Sequence, residues 1–176
     1  GITAANRVYD ATISATALLS YGSAGLQGTE TGDTVTLDTT QIAAVFLNKN
    51  VGTGKSVVVS GLTIGGTDSG NYSLTQPTTT ANITLKTLTV SGITAANKTY
   101  NASTTATLNT GSAAFVGVES GDTVTIGVGS ATGAFADKNV SNGKTVQVSG
   151  VTKSGTDAGN YTITQPTDRK STRLNS

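Results

Sequence analysis

At 176 residues the chain has room for one or two domains, and 35% hydrophobic, 12% charged and 5% aromatic residues make it polar. Val, Ile, Leu and Thr nevertheless recur in short alternating runs, which a disordered tract lacks. It has no Cys and no His, which removes disulfides, thiolate nucleophiles, the commonest zinc ligand and the commonest general base.

The chain opens on Gly1-Ile2-Thr3-Ala4-Ala5-Asn6, followed by Tyr9-Asp10-Ala11. Ile13, Ala15, Ala17 and Leu19 then alternate with Ser14, Thr16 and Leu18, the period of a half-buried strand. Thr31-Gly32-Asp33 reads as a turn, and Val35 and Leu37 alternate with Thr34 and Thr36. After Gly52-Thr53-Gly54 come Val57 and Val59, and after Gly66-Thr67-Asp68-Ser69-Gly70-Asn71 come Tyr72 and Leu74. Gln76-Pro77-Thr78 leads to Ala81-Asn82-Ile83-Thr84. Ile83 and Leu85 share one parity, and Leu88 and Val90 take the other. Such a slip would turn a continuous strand inside out, so one strand is expected to end near Leu85 and another to start near Thr87.

From Gly92 the sequence repeats. Gly92-Ile93-Thr94-Ala95-Ala96-Asn97 restates the opening, Tyr100 answers Tyr9, and Gly121-Asp122-Thr123-Val124-Thr125 answers Gly32-Asp33-Thr34-Val35-Thr36. The alternation returns in Val124 and Ile126, in Val146 and Val148, and in Tyr161 and Ile163, with Asn142-Gly143 as a turn. Gly155-Thr156-Asp157-Ala158-Gly159-Asn160-Tyr161 and Gln165-Pro166-Thr167 complete the second copy. No helical apolar periodicity occurs, and no apolar run nears the roughly 18 residues that span a membrane. Size and strand spacing predict an all-β chain of two tandem immunoglobulin-like β-sandwich modules, 1–85 and 86–167, in an elongated array. On this frame the first module lacks its first strand and the second its last, leaving open edges. With no Gly/Ser tract between them, little bending is expected at the junction.

After Thr167 the repeat stops abruptly. Residues 168–176, Asp-Arg-Lys-Ser-Thr-Arg-Leu-Asn-Ser, share nothing with Thr79-Thr80-Ala81-Asn82-Ile83 and correspond to a translated frame of a common sequencing adapter. They are read as a non-native tail. The tail holds Arg169, Lys170 and Arg173 against Asp168, a net of +2, so the overall +1 becomes −1 for the repeats. That balance gives no electrostatic case for nucleic acid.

Asp68-Ser69-Gly70-Asn71-Tyr72 and Asp157-Ala158-Gly159-Asn160-Tyr161 both read D-x-G-x-Y, which looks like a tyrosine corner. Asp68, Gly70, Tyr72 and Asp157, Gly159, Tyr161 are therefore structural candidates. The Tyr hydroxyl is expected to bond back to main chain, the Gly to permit the turn, and the Asp to bond amides two residues on. A calcium site needs several converging carboxylates, and none lie near this Asp in sequence. Glu30 and Glu119 sit in separate copies and cannot pair as an acid/base couple. The N-x-[ST] matches follow from a composition rich in Asn and Thr, and stretches such as Gly127-Val128-Gly129 are turns rather than phosphate cradles.

The Ala-Ala-Asn-x-x-Tyr opening, Gly-Asp-Thr-Val-Thr, the loops Lys49-Asn50-Val51 and Lys138-Asn139-Val140, and the D-x-G-x-Y-to-Gln-Pro-Thr ending resemble the YDG domain. This is an immunoglobulin-like repeat of large bacterial surface adhesins of the filamentous-haemagglutinin type. The naming motif departs here, since Tyr9-Asp10-Ala11 and Tyr100-Asn101-Ala102 lack the Gly. The resemblance implies a secreted array on the surface of a Gram-negative bacterium, associated with the outer membrane, with modules serving as stalk. It carries no catalytic residue, metal or cofactor, and any export signal is expected outside these residues. Neighbouring repeats of the same chain are the expected partners, with no membrane insertion. The alternative is adhesion by the modules themselves to glycan or host protein, for which Tyr21, unpaired in the second copy, is the binding candidate. Self-crosslinking through Lys and Asn beside a buried acid has no residue spacing to support it.

Overall fold

The structure is a computed structural model that describes the backbone of residues 1–173 and side chains through 168. Leu174, Asn175 and Ser176 of the expected tail lie outside the described residues. Among the described residues the chain is all-β, with strands, connecting turns and three single-turn 3-10 segments at Thr16–Leu18, Ser69–Asn71 and Ala158–Asn160. Its contacts divide it into two compact units, Gly1–Leu85 and Lys86–Ser176.

In the first unit a four-stranded sheet runs in the order Arg7–Val8, Thr78–Thr84, Gly52–Ser60, Ala43–Phe46. Two small antiparallel pairs accompany it, Thr3–Ala4 with Leu19–Ser20 and Thr36–Asp38 with Thr63–Gly65. The alternation of Gly52–Ser60 places Val57 and Val59 at full burial, and the paired Ala44 and Phe46 are 1% exposed. Ala81 and Ile83 on the neighbouring strand point into the same core.

The second unit repeats this frame with an offset of 89 residues from Gly22 onward. Its largest sheet runs Lys98–Thr99, Thr167–Arg173, Ser141–Ser149, Thr132–Phe135, Thr105–Ala106. Phe135, Val146, Ala95 and Ala106 form one buried cluster, and Ile93, Val148 and Val151 a second. A three-stranded sheet is added in which Lys86–Ser91 runs antiparallel to Ala114–Val116 and parallel to Tyr161–Ile163. Leu88, at its centre, is fully buried. Leu85 alone separates strands Thr78–Thr84 and Lys86–Ser91, and is 45% exposed.

The open edge expected in the second unit is occupied. Thr167–Arg173 pairs antiparallel with Ser141–Ser149 and parallel with Lys98–Thr99, the register that Thr78–Thr84 holds in the first unit. The physical reason is that a ladder of N–H and C=O groups accepts any extended segment without proline. Side-chain fit is a separate matter, because Lys170 and Thr172 stand at the register positions of the buried Ala81 and Ile83.

Candidate functional site

The most developed polar arrangement in each unit joins the D-x-G-x-Y segment to the Gly-Asp-Thr-Val-Thr turn. The Tyr72 hydroxyl donates to Asp33 Oδ2 at 2.6 Å and accepts the Glu30 N–H at 3.0 Å. Asp68 Oδ2 accepts the Thr34 N–H at 2.8 Å and the Thr67 hydroxyl at 3.0 Å, while the Asp68 N–H donates to the Thr34 carbonyl. The second unit has the same set. Tyr161 donates to Asp122 Oδ2 at 2.6 Å and accepts the Glu119 N–H at 3.0 Å, and Asp157 Oδ2 accepts the Thr123 N–H at 2.9 Å. The latch ties together segments about forty residues apart (|i−j| of 34 to 42) and leaves each hydroxyl and carboxylate engaged.

Two parts of the sequence expectation need correction. The Asp of the motif reaches across 34 residues to a threonine amide, rather than serving only amides two residues on. The Gly of the motif is not what makes the turn. Gly70 and Gly159 lie in 3-10 turns without a left-handed φ, and a Cβ there would meet nothing within 4 Å. The glycines that matter are Gly66 and Gly155, at φ of 102° and 115°.

The Tyr72 phenol is held above its ordinary value, chiefly by donating to Asp33, with the Glu30 N–H pulling the other way. A raised tyrosine gives stability that is intact below about pH 10 and fades as pH rises through the folded value. Alkaline difference absorbance should therefore show late tyrosine ionisation, and Tyr72→Phe should lower its amplitude.

Other residues, whose roles the sequence patterns did not assign, complete the framework. Gln76 imitates a strand, its side chain accepting the Leu62 N–H at 3.1 Å and donating to the Leu62 carbonyl at 2.8 Å. Gln165 does the same at Val151. Arg7 lies with its guanidinium carbon 4.9 Å from the Phe46 ring centre and donates to Asp10, to the Thr12 hydroxyl and to the Thr12 and Ser14 carbonyls. Lys98 takes its place over Phe135, donating to the Ser103 and Thr105 carbonyls. The only sequence signal for this cation is its position two residues before the repeated Tyr.

The degraded naming motif has a specific geometry. Asp10 Oδ1 accepts the Thr12 N–H at 3.0 Å and Asn101 Oδ1 the Ser103 N–H at 3.2 Å, closing Asx turns. Between them Ala11 and Ala102 sit at φ of 60° and 61°, the left-handed region that favours glycine. Ala11→Gly and Ala102→Gly should each stabilise their unit by about 0.5–1 kcal/mol, the relief of strain outweighing added unfolded-chain entropy. Thermal melts of the two variants check this.

Loops near Lys49 and Lys138 also carry a clasp. Lys144 Nζ donates to Asp137 Oδ1 and to the Asn139 carbonyl, and Lys55 Nζ donates to Asn48 Oδ1 at 2.5 Å in the first unit. Lys144, first, and the Asn139 N–H hold the Asp137 carboxyl below its ordinary value. A depressed carboxylate stabilises above its unfolded pKa, about 3.9, and that contribution is lost as pH falls through the folded value. Asp137→Asn should flatten the acid limb of the second unit's melting profile below about pH 4.

Tyr21 lies half-buried in a turn, its carbonyl accepting the Ala24 N–H at 2.8 Å. Among the described residues no three Asp, Glu, His or Cys side chains converge.

These features define an all-β protein in which a framework of internal bonds is repeated in two units. The YDG domain family matches residues 1–81 and again 84–168, and the chain belongs to that family. No curated protein and no solved structure matches it.

Proposed function

We propose that the two units are immunoglobulin-like modules of a stalk, spacers within a large secreted bacterial surface adhesin of the filamentous-haemagglutinin type. The observation that carries this reading is that the repeated polar side chains bond within their own unit. The tyrosine–aspartate latch, the glutamine clamp and the Arg7/Lys98 clasp all serve to hold strands and turns, in both copies alike. Repetition of such units adds length without adding a site. Leu85 is the one residue between the strand that closes one unit and the strand that opens the next. The partners are then neighbouring repeats, and the location is the bacterial cell surface.

Small-angle scattering from a protein of three consecutive repeats tests the reading. A maximum dimension growing linearly with repeat number supports a stalk, and the growth of a flexible coil sinks it. A glycan array probed with the chain separates the alternative, in which the modules themselves bind: reproducible glycan signal would favour adhesion.

A further inference from the structure

The first unit contains a cavity of about 510 Å³ floored by Leu26, Val35, Leu37, Leu62, Ile64 and Leu74. Its two long walls are the segments 24–27 and 72–75. With the 89-residue offset these correspond to 113–116 and 161–164, the segments that flank Lys86–Ser91 in the second unit. There, Ala114–Val116 and Tyr161–Ile163 are strands, Leu88 is fully buried between them and Tyr161 is 1% exposed. In the first unit neither wall is a strand, although the sequences are alike, and Tyr72 is only partly buried. The two units thus show the same slot with and without a strand in it.

Electrostatics point to the same guest. Lys86 Nζ forms an ion pair with Glu119 Oε1 in the filled slot. Glu30 holds the position of Glu119 in the first unit, its N–H likewise on the tyrosine hydroxyl, and it is exposed.

We propose that this cavity is a strand-accepting site, which takes an extended Lys-x-Leu-x-Val segment. By the register of the second unit, the guest runs parallel to 72–74, its Leu opposite Leu74, and antiparallel to 25–27, its Val opposite Leu26. Its Lys reaches Glu30. Main-chain bonds to two edges supply affinity, and the Leu, Val and Lys pockets supply selectivity.

The test titrates the full chain with the capped peptide Lys-Thr-Leu-Thr-Val-Ser, followed by amide chemical shifts. Saturable one-to-one binding is expected, with shifts concentrated at 24–27 and 72–75. Replacing the peptide's Leu by Asp should weaken binding about tenfold or more, since that side chain enters an apolar floor. A peptide with Glu for Lys should bind weakly to the native chain and recover on Glu30→Lys. The proposal is overturned by absence of saturable binding, by equal binding of the Asp peptide, or by shifts confined to 114–116 and 161–163.

Discussion

Gly155→Ala is expected to destabilise the second unit by about 3 kcal/mol, and Gly66→Ala the first by a similar amount. Both glycines adopt φ beyond 100°, where L side chains are strained. A Cβ would also stand 2.3 Å from the Thr123 carbonyl oxygen at Gly155, and 2.2 Å from that of Thr34 at Gly66. These carbonyls cannot retreat freely, because each accepts the Asp157 or Asp68 N–H at 3.2 Å. The neighbouring Thr123 and Thr34 amides are meanwhile held by the same aspartates' carboxylates. Relieving the clash therefore opens the latch. For units of this size the loss corresponds to a fall in Tm of roughly 12–24 °C. Gly159→Ala and Gly70→Ala are the controls: with open space at Cβ and no left-handed φ, they should be neutral or slightly stabilising. Equal damage from both pairs would return the turn to the motif glycine and refute the assignment.

That contrast shows what a sequence can disclose here. The repeat and the alternating runs were legible because burial on one face imposes period two, so Val57 with Val59 and Val146 with Val148 stood out before any coordinates. The D-x-G-x-Y segment stood out because it occurs twice. Its partners did not, since Asp33 and Glu30 lie 39 and 42 residues from Tyr72 and no local pattern encodes that span. Backbone conformation was equally hidden: nothing distinguishes Gly66 from Gly70 on paper, and Ala11 stood out only as the place where the naming motif lacks its Gly. Gln76 and Arg7 bond main-chain carbonyls, which every sequence has, so Arg7 left no trace and the repeated Gln-Pro-Thr showed Gln76 without its role. Tyr9 and Tyr100 make the point most sharply. They share one motif position, yet Tyr9 is 1% exposed and Tyr100 43%, a difference set by the strands around them.

The last strand of the second unit yields the other large effect. Lys170→Ala together with Thr172→Ile should stabilise the second unit by about 2–3 kcal/mol. In the first unit the same register positions carry Ala81 and Ile83, 4% and 1% exposed. Arg7–Val8 runs beside Ile83–Thr84, and the Tyr9 N–H donates to the Thr84 carbonyl at 2.9 Å, which draws the tyrosine to the core edge. Lys98–Thr99 runs beside Thr172–Arg173 in the same parallel register, so the main chain is already in place. An ammonium at Ala81's position must stay hydrated, and a threonine at Ile83's gives less apolar area to bury. The double variant should raise Tm and also bury Tyr100, read as loss of its accessibility to a polar fluorescence quencher. Ser171→Ile, of opposite parity on the same strand, should do neither. If the double variant leaves both Tm and Tyr100 accessibility unchanged, the frame inferred for this strand is wrong. If both change together, the core of this unit is completed by the residue types that close the first.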